Sequence, residues 1–372
     1  MNSINFLPFV LPLLIAGIGS LYALPRMIRY SIARNWYDQP GGRKTHTKPI
    51  PRTGGMAFIP LIALSILLAG WWQQELLSIG MWMGLVILYV TGVVDDLKGL
   101  RAGKKLVFQV LAAFALTMDG TRIVYLEGIG NLSLFWQYFV TVGLVVVLVN
   151  AYNLLDGIDG LAAGLAVFSS LIFMYVFWQR GDVGGCILAG ATTGAYGAFL
   201  RYNFAPAKVF MGDAGSLGLG YLLAVMGLRS LHPSLEGELE FQVWQVLAIW
   251  SIALHDVLRV MAERGRKHGR IFKADRNHIH HKVLESGFSP PTAVGLIVLA
   301  NGIAVGVALF LPHLEWYYAL PALSLYFLLS IAIFRNLSWV NIRKEVRSLR
   351  QKRTLFKSDN PFFNRSFPSD PS

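Results

Sequence analysis

Long apolar runs separated by short polar segments set the rhythm of this chain. They cover residues 6–24, 56–70, 77–94, 106–118, 136–149, 161–178, 186–199, 217–228, 241–260, 292–311 and 317–334. This pattern predicts an all-α polytopic membrane protein with about eleven transmembrane helices. Several runs are shorter than the ~20 residues that cross ~30 Å of hydrocarbon, so they must borrow polar neighbours, thin the bilayer or lie inside the protein. Between two runs, 119–135 carries Gly120, Gly128 and Gly130 among Ile123, Val124 and Tyr125, which predicts a small hairpin. Past Phe334 the pattern changes: Trp339, Ile342, Val346 and Leu349 recur at helical spacing with Arg343, Lys344, Arg347 and Arg350 between them. That predicts a basic amphipathic helix on the membrane surface, with a solvated basic tail as the alternative. The organisation is a multi-span domain, 1–335, and a basic tail, 336–372, whose Ser-, Pro- and Asn-rich end is expected to be disordered.

Composition sharpens this reading. With 54% hydrophobic and 15% charged residues and a mean hydropathy of +0.50, the 372 residues describe an integral membrane protein rather than two or three soluble domains. A net charge of +12 invites a nucleic-acid partner, but the distribution of the bases argues against one. Of the 33 Lys and Arg, all except Arg122, Arg180 and Arg229 fall in segments 25–55, 95–105, 200–216, 259–291 and 335–372. These segments alternate with the others, so the positive-inside rule places them all in the cytoplasm, with the N-terminus outside and the C-terminus inside. No basic residue precedes the first run, which is therefore expected to be a retained helix and not a cleaved signal. Cys186 is the sole cysteine, so no intramolecular disulfide forms and the thiol is read as packing.

The unusual polar clusters all fall on the side assigned to the cytoplasm. The central one is Asn150-Ala-Tyr-Asn153-Leu-Leu-Asp156-Gly-Ile-Asp159-Gly160, between two apolar runs. Ionisable groups at the edge of hydrocarbon are costly and tend to face water or a bound ion. A spacing of three slips by about 60° per step against 3.6 residues per turn, so the four polar side chains cannot share one face; Gly157 and Gly160 predict a broken helix end. The alternative is an Asp serving as N-cap of the next run. Another cluster, Asp95-Asp96-Leu-Lys98-Gly-Leu-Arg101-Ala-Gly-Lys104-Lys105, pairs two carboxylates that suit Mg²⁺ or a base with lysines that suit phosphate. Asp213 stands between Gly212 and Gly215, with room for a metal-bound diphosphate to approach the backbone. The first loop runs from Asp38 through Arg43, Lys44, His46 and Lys48 to Pro49-Ile-Pro51-Arg52-Thr-Gly54-Gly55, cations set in a stiffened, glycine-opened frame that suits phosphate. Finally Asp275-Arg276-Asn277-His278-Ile279-His280-His281-Lys282 offers hydrogen bonds to a sugar or phosphate. Zinc is a weaker reading of these histidines, since neither cysteine nor HExxH spacing accompanies them, and a solvated loop is the third. His255 and Asp256 are expected to form a structural polar pair.

Together the five motifs, in order from Asp38 to Lys282, resemble the polyprenyl-phosphate N-acetylhexosamine-1-phosphate transferase superfamily. The similarity is greatest to bacterial enzymes that start O-antigen, common antigen or teichoic acid on undecaprenyl phosphate. The resemblance implies transfer of a sugar-1-phosphate, GlcNAc-1-phosphate favoured, from a UDP-amino sugar to undecaprenyl phosphate in the bacterial inner membrane, with UMP leaving. It implies catalytic roles for Asp95, Asp96, Asp156 and Asp159, and Mg²⁺ on Asp213 and Asn153, with Mn²⁺ able to substitute. It also implies substrate binding by Lys48, Arg52, Lys104, Asn150, Arg276, His278, His280 and His281. Some relatives read DDxxD, whereas Gly99 stands at the third acid here. Membrane lipids are expected neighbours, no nucleic acid is expected, and a homodimer stays open. Two other classes compete. A secondary transporter needs midplane acids and matching halves, and no internal repeat is evident; a non-catalytic lipid-binding protein has no need of several acid clusters on one face.

Overall fold

The computed structural model describes residues 7–38, 49–74, 77–126, 128–231, 241–268, 278–310, 317, 318, 321, 322, 324–326 and 329. The basic tail, most of the run 317–334, and Lys48 and Arg276 lie outside them. Each of the first ten apolar runs coincides with helix. In chain order these are α1 (Leu7–Ala33), α2 (Gly54–Gln73), α3 (Ile79–Lys98), α4 (Ala102–Met118), α5 (Leu134–Leu155), α6 (Leu161–Gln179), α7 (Val183–Asn203), α8 (Gly212–Ser230), α9 (Val243–Ile249), α10 (Ser251–His268), α11 (Ile279–Glu285) and α12 (Pro290–Phe310). Among the described residues seven helices are long and apolar enough to cross a membrane, and α9 with α10 makes an eighth if the pair is one span. The expected hairpin is present, with Tyr125–Leu126 antiparallel to Gly130–Asn131. A second hairpin was not foreseen: Tyr37–Asp38 pairs antiparallel with Ile50–Pro51 and closes the first loop.

The centre of the bundle is built on small residues. In hydrocarbon, helices gain little from hiding apolar surface, so close backbone packing and interhelical hydrogen bonds hold them together. A Cβ added at Gly194 of α7 would sit 2.1 Å from the Leu13 carbonyl oxygen, which is how closely α1 lies against α7. Around α8 the same device appears twice more: a Cβ at Gly55 would meet the Gly215 nitrogen at 2.1 Å, and one at Gly92 would meet the Ala214 Cα at 2.4 Å. The first turn of α8 is thus pressed between the start of α2 and the last turns of α3. Buried along nearly its whole length, α8 touches protein rather than lipid. A helix in that position does not have to be uniformly apolar, and it can carry glycines, Ser216 and Asp213.

One run departs from the straight rod that its hydropathy suggests. Residues 241–260 break at Trp250, where α9 and α10 meet at 79°. Backbone polar groups freed inside a membrane must find partners, and Asn301 of α12 supplies them. Its Oδ1 accepts from Ser251 Oγ at 2.9 Å and from the Ile252 N–H at 3.4 Å, and its Nδ2 donates to the Ile249 carbonyl at 3.2 Å.

Candidate active site

At one end of the bundle, three segments far apart in the chain are stitched together, two through their backbones and the third through a carboxylate. The Phe210 N–H donates to the Pro51 carbonyl at 2.8 Å, the Gly54 N–H to Phe210 at 3.0 Å and the Gly55 N–H to Met211 at 2.8 Å. The strand-like segment before α2 therefore runs alongside the entry to α8 and carries Arg52 with it. Ser31 and Thr53 hydroxyls, 2.7 Å apart, anchor the same segment to α1. The third segment is the last turn of α3. Both oxygens of Asp96 accept from the start of α8, from the Asp213 N–H at 2.8 Å and the Ala214 N–H at 3.0 Å. The first N–H groups of a helix have no partners within it, and here a carboxylate on another helix caps them.

Asp213 is set by that cap. Its Oδ2 lies 2.7 Å from the Lys105 ammonium, which also reaches Asp95 Oδ2 at 3.2 Å. The other Asp95 oxygen accepts from the Leu100 N–H at 2.6 Å across the α3–α4 turn. One turn further along α8, Ser216 Oγ accepts from Asn153 Nδ2 at 2.8 Å, which brings α5 into the same corner. α5 ends at Leu155, and the broken helix end expected at 156–160 is there. Asn203 holds it, accepting from the Gly160 N–H at 2.9 Å and donating to the Val209 carbonyl at 3.0 Å. Asp159 Oδ2 accepts from the Ala207 N–H at 2.9 Å. The carboxyl of Asp156 is raised well above the usual carboxylate range by its enclosure and by the negative charge of Asp213, against the opposing effect of the Arg52 guanidinium, with Asp96 and Asp159 adding to the rise.

The histidine segment closes over this loop. His280 is 1% exposed, and a Cβ at Gly157 would stand 2.3 Å from its Nε2. Neither ring nitrogen of His280 has a hydrogen-bond partner among the described residues. Burial pulls its pKa down to about 3, with the neighbouring His281 acting in the same direction, so the imidazole is neutral around pH 7. The rings of His280 and His281 are 4.3 Å apart, and that of His278 lies parallel to His280 at 5.8 Å. Asp256, expected to pair with His255, directs its carboxylate to His278, Nδ1 to Oδ2 at 2.7 Å, and to Arg259.

Of the residues singled out from sequence, Arg52, Asp95, Asp96, Asn153, Asp156, Asp159, Asp213 and His280 come together at this end. Asn150 is engaged elsewhere: its Nδ2 donates to Gln109 Oε1 of α4 at 2.7 Å and to the Val146 carbonyl at 2.7 Å. Lys104 lines an apolar groove of about 520 Å³ between α3 and α4, with Val86, Val90, Val94, Leu100 and Phe108. Its neighbour Lys105, about 100° around the helix, is the lysine that reaches the acids. Sequence reasoning also passed over Ser216, Asn203 as a loop anchor and Asp256 as the partner of His278. No local signal finds any of these, and Lys105 parts from Lys104 only once α4 is docked on α3.

Chemically, this corner suits a cation and phosphate oxygens. Among the described residues no three side chains of His, Cys, Asp or Glu form a ready metal cage. Mg²⁺ rarely needs one, because it is usually held by one or two carboxylates and the phosphates of its substrate. The Lys105 ammonium already sits where a positive charge is favoured, between Asp95 and Asp213, so the donor set fits a divalent ion.

Apolar spans with a polar centre at the helix ends, where acids are grouped about a cation, define a multi-pass membrane protein with a charged site at one end. Residues 78–231 match glycosyl transferase family 4. Over 298 residues the chain is 30% identical to the probable undecaprenyl-phosphate N-acetylglucosaminyl 1-phosphate transferase of Bacillus subtilis, covering 79% of this chain and 82% of that protein. The decaprenyl-phosphate N-acetylglucosaminephosphotransferase of Mycobacterium tuberculosis is 33% identical over 306 residues, 72% of this chain and 74% of its own length. The undecaprenyl-phosphate alpha-N-acetylglucosaminyl 1-phosphate transferase of Escherichia coli K12 is 29% identical over 338 residues, 85% and 89% of the two chains. The chain belongs to this family of polyprenyl-phosphate N-acetylhexosamine-1-phosphate transferases.

Proposed function

We propose that the protein transfers GlcNAc-1-phosphate from UDP-GlcNAc to undecaprenyl phosphate, releasing UMP, at the cytoplasmic face of a bacterial inner membrane. The observation that carries this reading is Lys105 lying between Asp95 of α3 and Asp213 of α8, with Asp96 capping the helix on which Asp213 stands. The names of the relatives, which pair a polyprenyl phosphate with N-acetylglucosamine phosphate transfer, support it.

In this reaction an oxygen of the lipid phosphate forms a bond to the β-phosphorus of the nucleotide sugar. The bond from that phosphorus to the bridging oxygen breaks, and the electron pair leaves with UMP. A phosphate monoester has a second pKa near 6, so the acceptor is largely a dianion at neutral pH and hardly needs a base. Asp95 orients the acceptor, and Asp96 acts mainly through its hold on Asp213. Asp213 and Asn153 would hold Mg²⁺, or Mn²⁺ in its place, which when bound would neutralise charge on the diphosphate. Lys48, Arg52 and Lys104 meet phosphate oxygens, and Asp156 and Asp159 order the surroundings of the nucleotide. Direct displacement suffices for such a dianionic acceptor, with positioning and electrostatics supplying the rate.

The test is release of UMP by purified protein given UDP-GlcNAc, undecaprenyl phosphate and Mg²⁺. Activity lost in EDTA and restored by Mg²⁺ is the expected result. Failure with every UDP-amino sugar tried would overturn the reading, and turnover through an isolable sugar-phosphoryl enzyme would replace direct displacement.

A further inference from the structure

Asp256 has no part in the reaction as drawn, yet its carboxylate is committed on all sides. It lies in α10 beyond the 79° bend and is 2% exposed. Oδ2 meets His278 Nδ1 at 2.7 Å; Oδ1 accepts from the Ile279 N–H at 2.8 Å and from the Arg259 guanidinium at 2.8 Å. Ile279 is the first residue of α11, and no side chain of its own N-cap bonds to that helix. One carboxylate therefore grips both the ring before α11 and its first N–H. Lys282 Nζ, 3.6 Å from Glu263 Oε1, ties the same two helices again one turn along.

The consequence reaches His280. Its ring is parallel to that of His278 within 4°, it packs on Gly157 in the loop that carries Asp156 and Asp159, and both of its nitrogens lack a partner among the described residues. A polar ring that is buried without a partner among the described residues calls for one, and a hydrogen-bonding ligand beside that loop would supply it. His278 is in the opposite state, with Nδ1 consumed by Asp256.

We infer that Asp256 and His278 form a positioning clamp that holds α11 so that His280 meets the nucleotide sugar, His278 acting through Asp256 and not by touching the sugar. This rests on the reaction proposed above for the identity of the ligand. The bend at Trp250 is part of the device, because it turns α10 away from the direction of α9. Hydrogen bonds to charged groups contribute enough that losing one changes an affinity by about ten- to a hundredfold.

The experiment compares Asp256→Asn, His278→Ala, His278→Asn and the double variant Asp256→Asn/His278→Ala with wild type. Asn at 278 keeps an N–H donor near the place of Nδ1, and Ala keeps none. KM for UDP-GlcNAc is expected to rise at least about tenfold in Asp256→Asn and His278→Ala, with KM for undecaprenyl phosphate unchanged. The double variant should be no worse than His278→Ala, and His278→Asn should recover most of the loss. A second readout needs no turnover: carbethoxylation of His280 by diethyl pyrocarbonate, followed by mass spectrometry. It should be slow in wild type and His278→Asn and much faster in Asp256→Asn and His278→Ala. Additive losses, a His278→Asn variant as damaged as His278→Ala, or unchanged labelling in Asp256→Asn would each overturn the clamp. If Asp256→Asn does not fold, the two His278 variants decide the matter alone. Wild type that releases no UMP sinks the proposed reaction, while the labelling still reads the clamp.

Discussion

The two ends of α8 carry the same kinds of residue and use them in opposite ways. At its C-terminal end Arg229 meets Asp182 through two bonds, Nε to Oδ2 at 2.7 Å and Nη2 to Oδ1 at 2.6 Å. Asp182 also caps α7 by accepting from the Gly185 N–H at 2.9 Å. The carboxylate is saturated there, and Arg180 stands beside it as a second base, its Nη1 donating to the Ser230 carbonyl, so the acid is fully balanced. At the N-terminal end the acids outnumber Lys105 and Arg52, the bases that face them among the described residues. Asp95 and Asp213 share the ammonium of Lys105, Asp96 is spent on backbone, and Asp156 and Asp159 stand in the adjoining loop. Like charges gathered in a partly enclosed place repel, and a fold that keeps them leaves room for a positive ligand. A buried acid is therefore a poor marker of function by itself; an unbalanced group of acids is a good one.

The sharpest way to break this contrast is Asp213→Asn. Turnover should fall about 100- to 1000-fold, as when a single charge-stabilising group is removed, while the melting temperature holds or rises because a repelled charge has gone. UMP release and thermal unfolding in the same detergent give both numbers. Near-normal activity would remove Asp213 from the site. Asp182→Asn should behave as its mirror image: splitting a buried ion pair costs about 3 kcal/mol, read as a lower melting temperature, with kcat/KM of the folded protein unchanged. A loss of kcat/KM as large as that of Asp213→Asn would erase the distinction between the two ends.

Asp96→Ala lies between these extremes. It leaves the Asp213 and Ala214 N–H groups uncapped, at about 1 kcal/mol of stability, and frees the first turn of α8, so activity should drop more than stability. Equal activity with lower stability would make Asp96 purely structural. The smallest effect belongs to His280. Its pKa of about 3 in the folded protein is below the ordinary 6.5, so the unfolded chain binds more protons between those values. The stability contributed by the neutral ring is complete above pH 6.5 and is lost as pH falls toward 3. His280→Gln should flatten that acid-side decline in melting temperature; an identical slope in both proteins would show the ring is not held neutral by the fold.

Legibility in the sequence varied with the range of the interaction. The ten runs found as helices, the hairpin of Tyr125–Leu126 with Gly130–Asn131 and the break after Leu155 all follow from signals a few residues long: apolar stretches, glycines and turn residues. The bend at Trp250 did not, because the groups that relieve it come from Asn301, some fifty positions later. Lys104 and Lys105 were indistinguishable as neighbours and separate only when α4 is docked on α3. The bond from Asp256 to His278, 22 positions further on, is likewise beyond any local signal.

Composition and hydropathy alone determined that this chain lives in a membrane, where its helices run and which polar segments interrupt them, since transfer of apolar side chains out of water is a local property that adds along the chain. The motifs in order named the chemistry to look for. Only the tertiary structure decided which acids share a cation, which carboxylate caps a foreign helix and which histidine is left unpaired. Those outcomes depend on distances between helices, set by glycine contacts and hydrogen bonds that close across long loops, and no property of any one segment contains them.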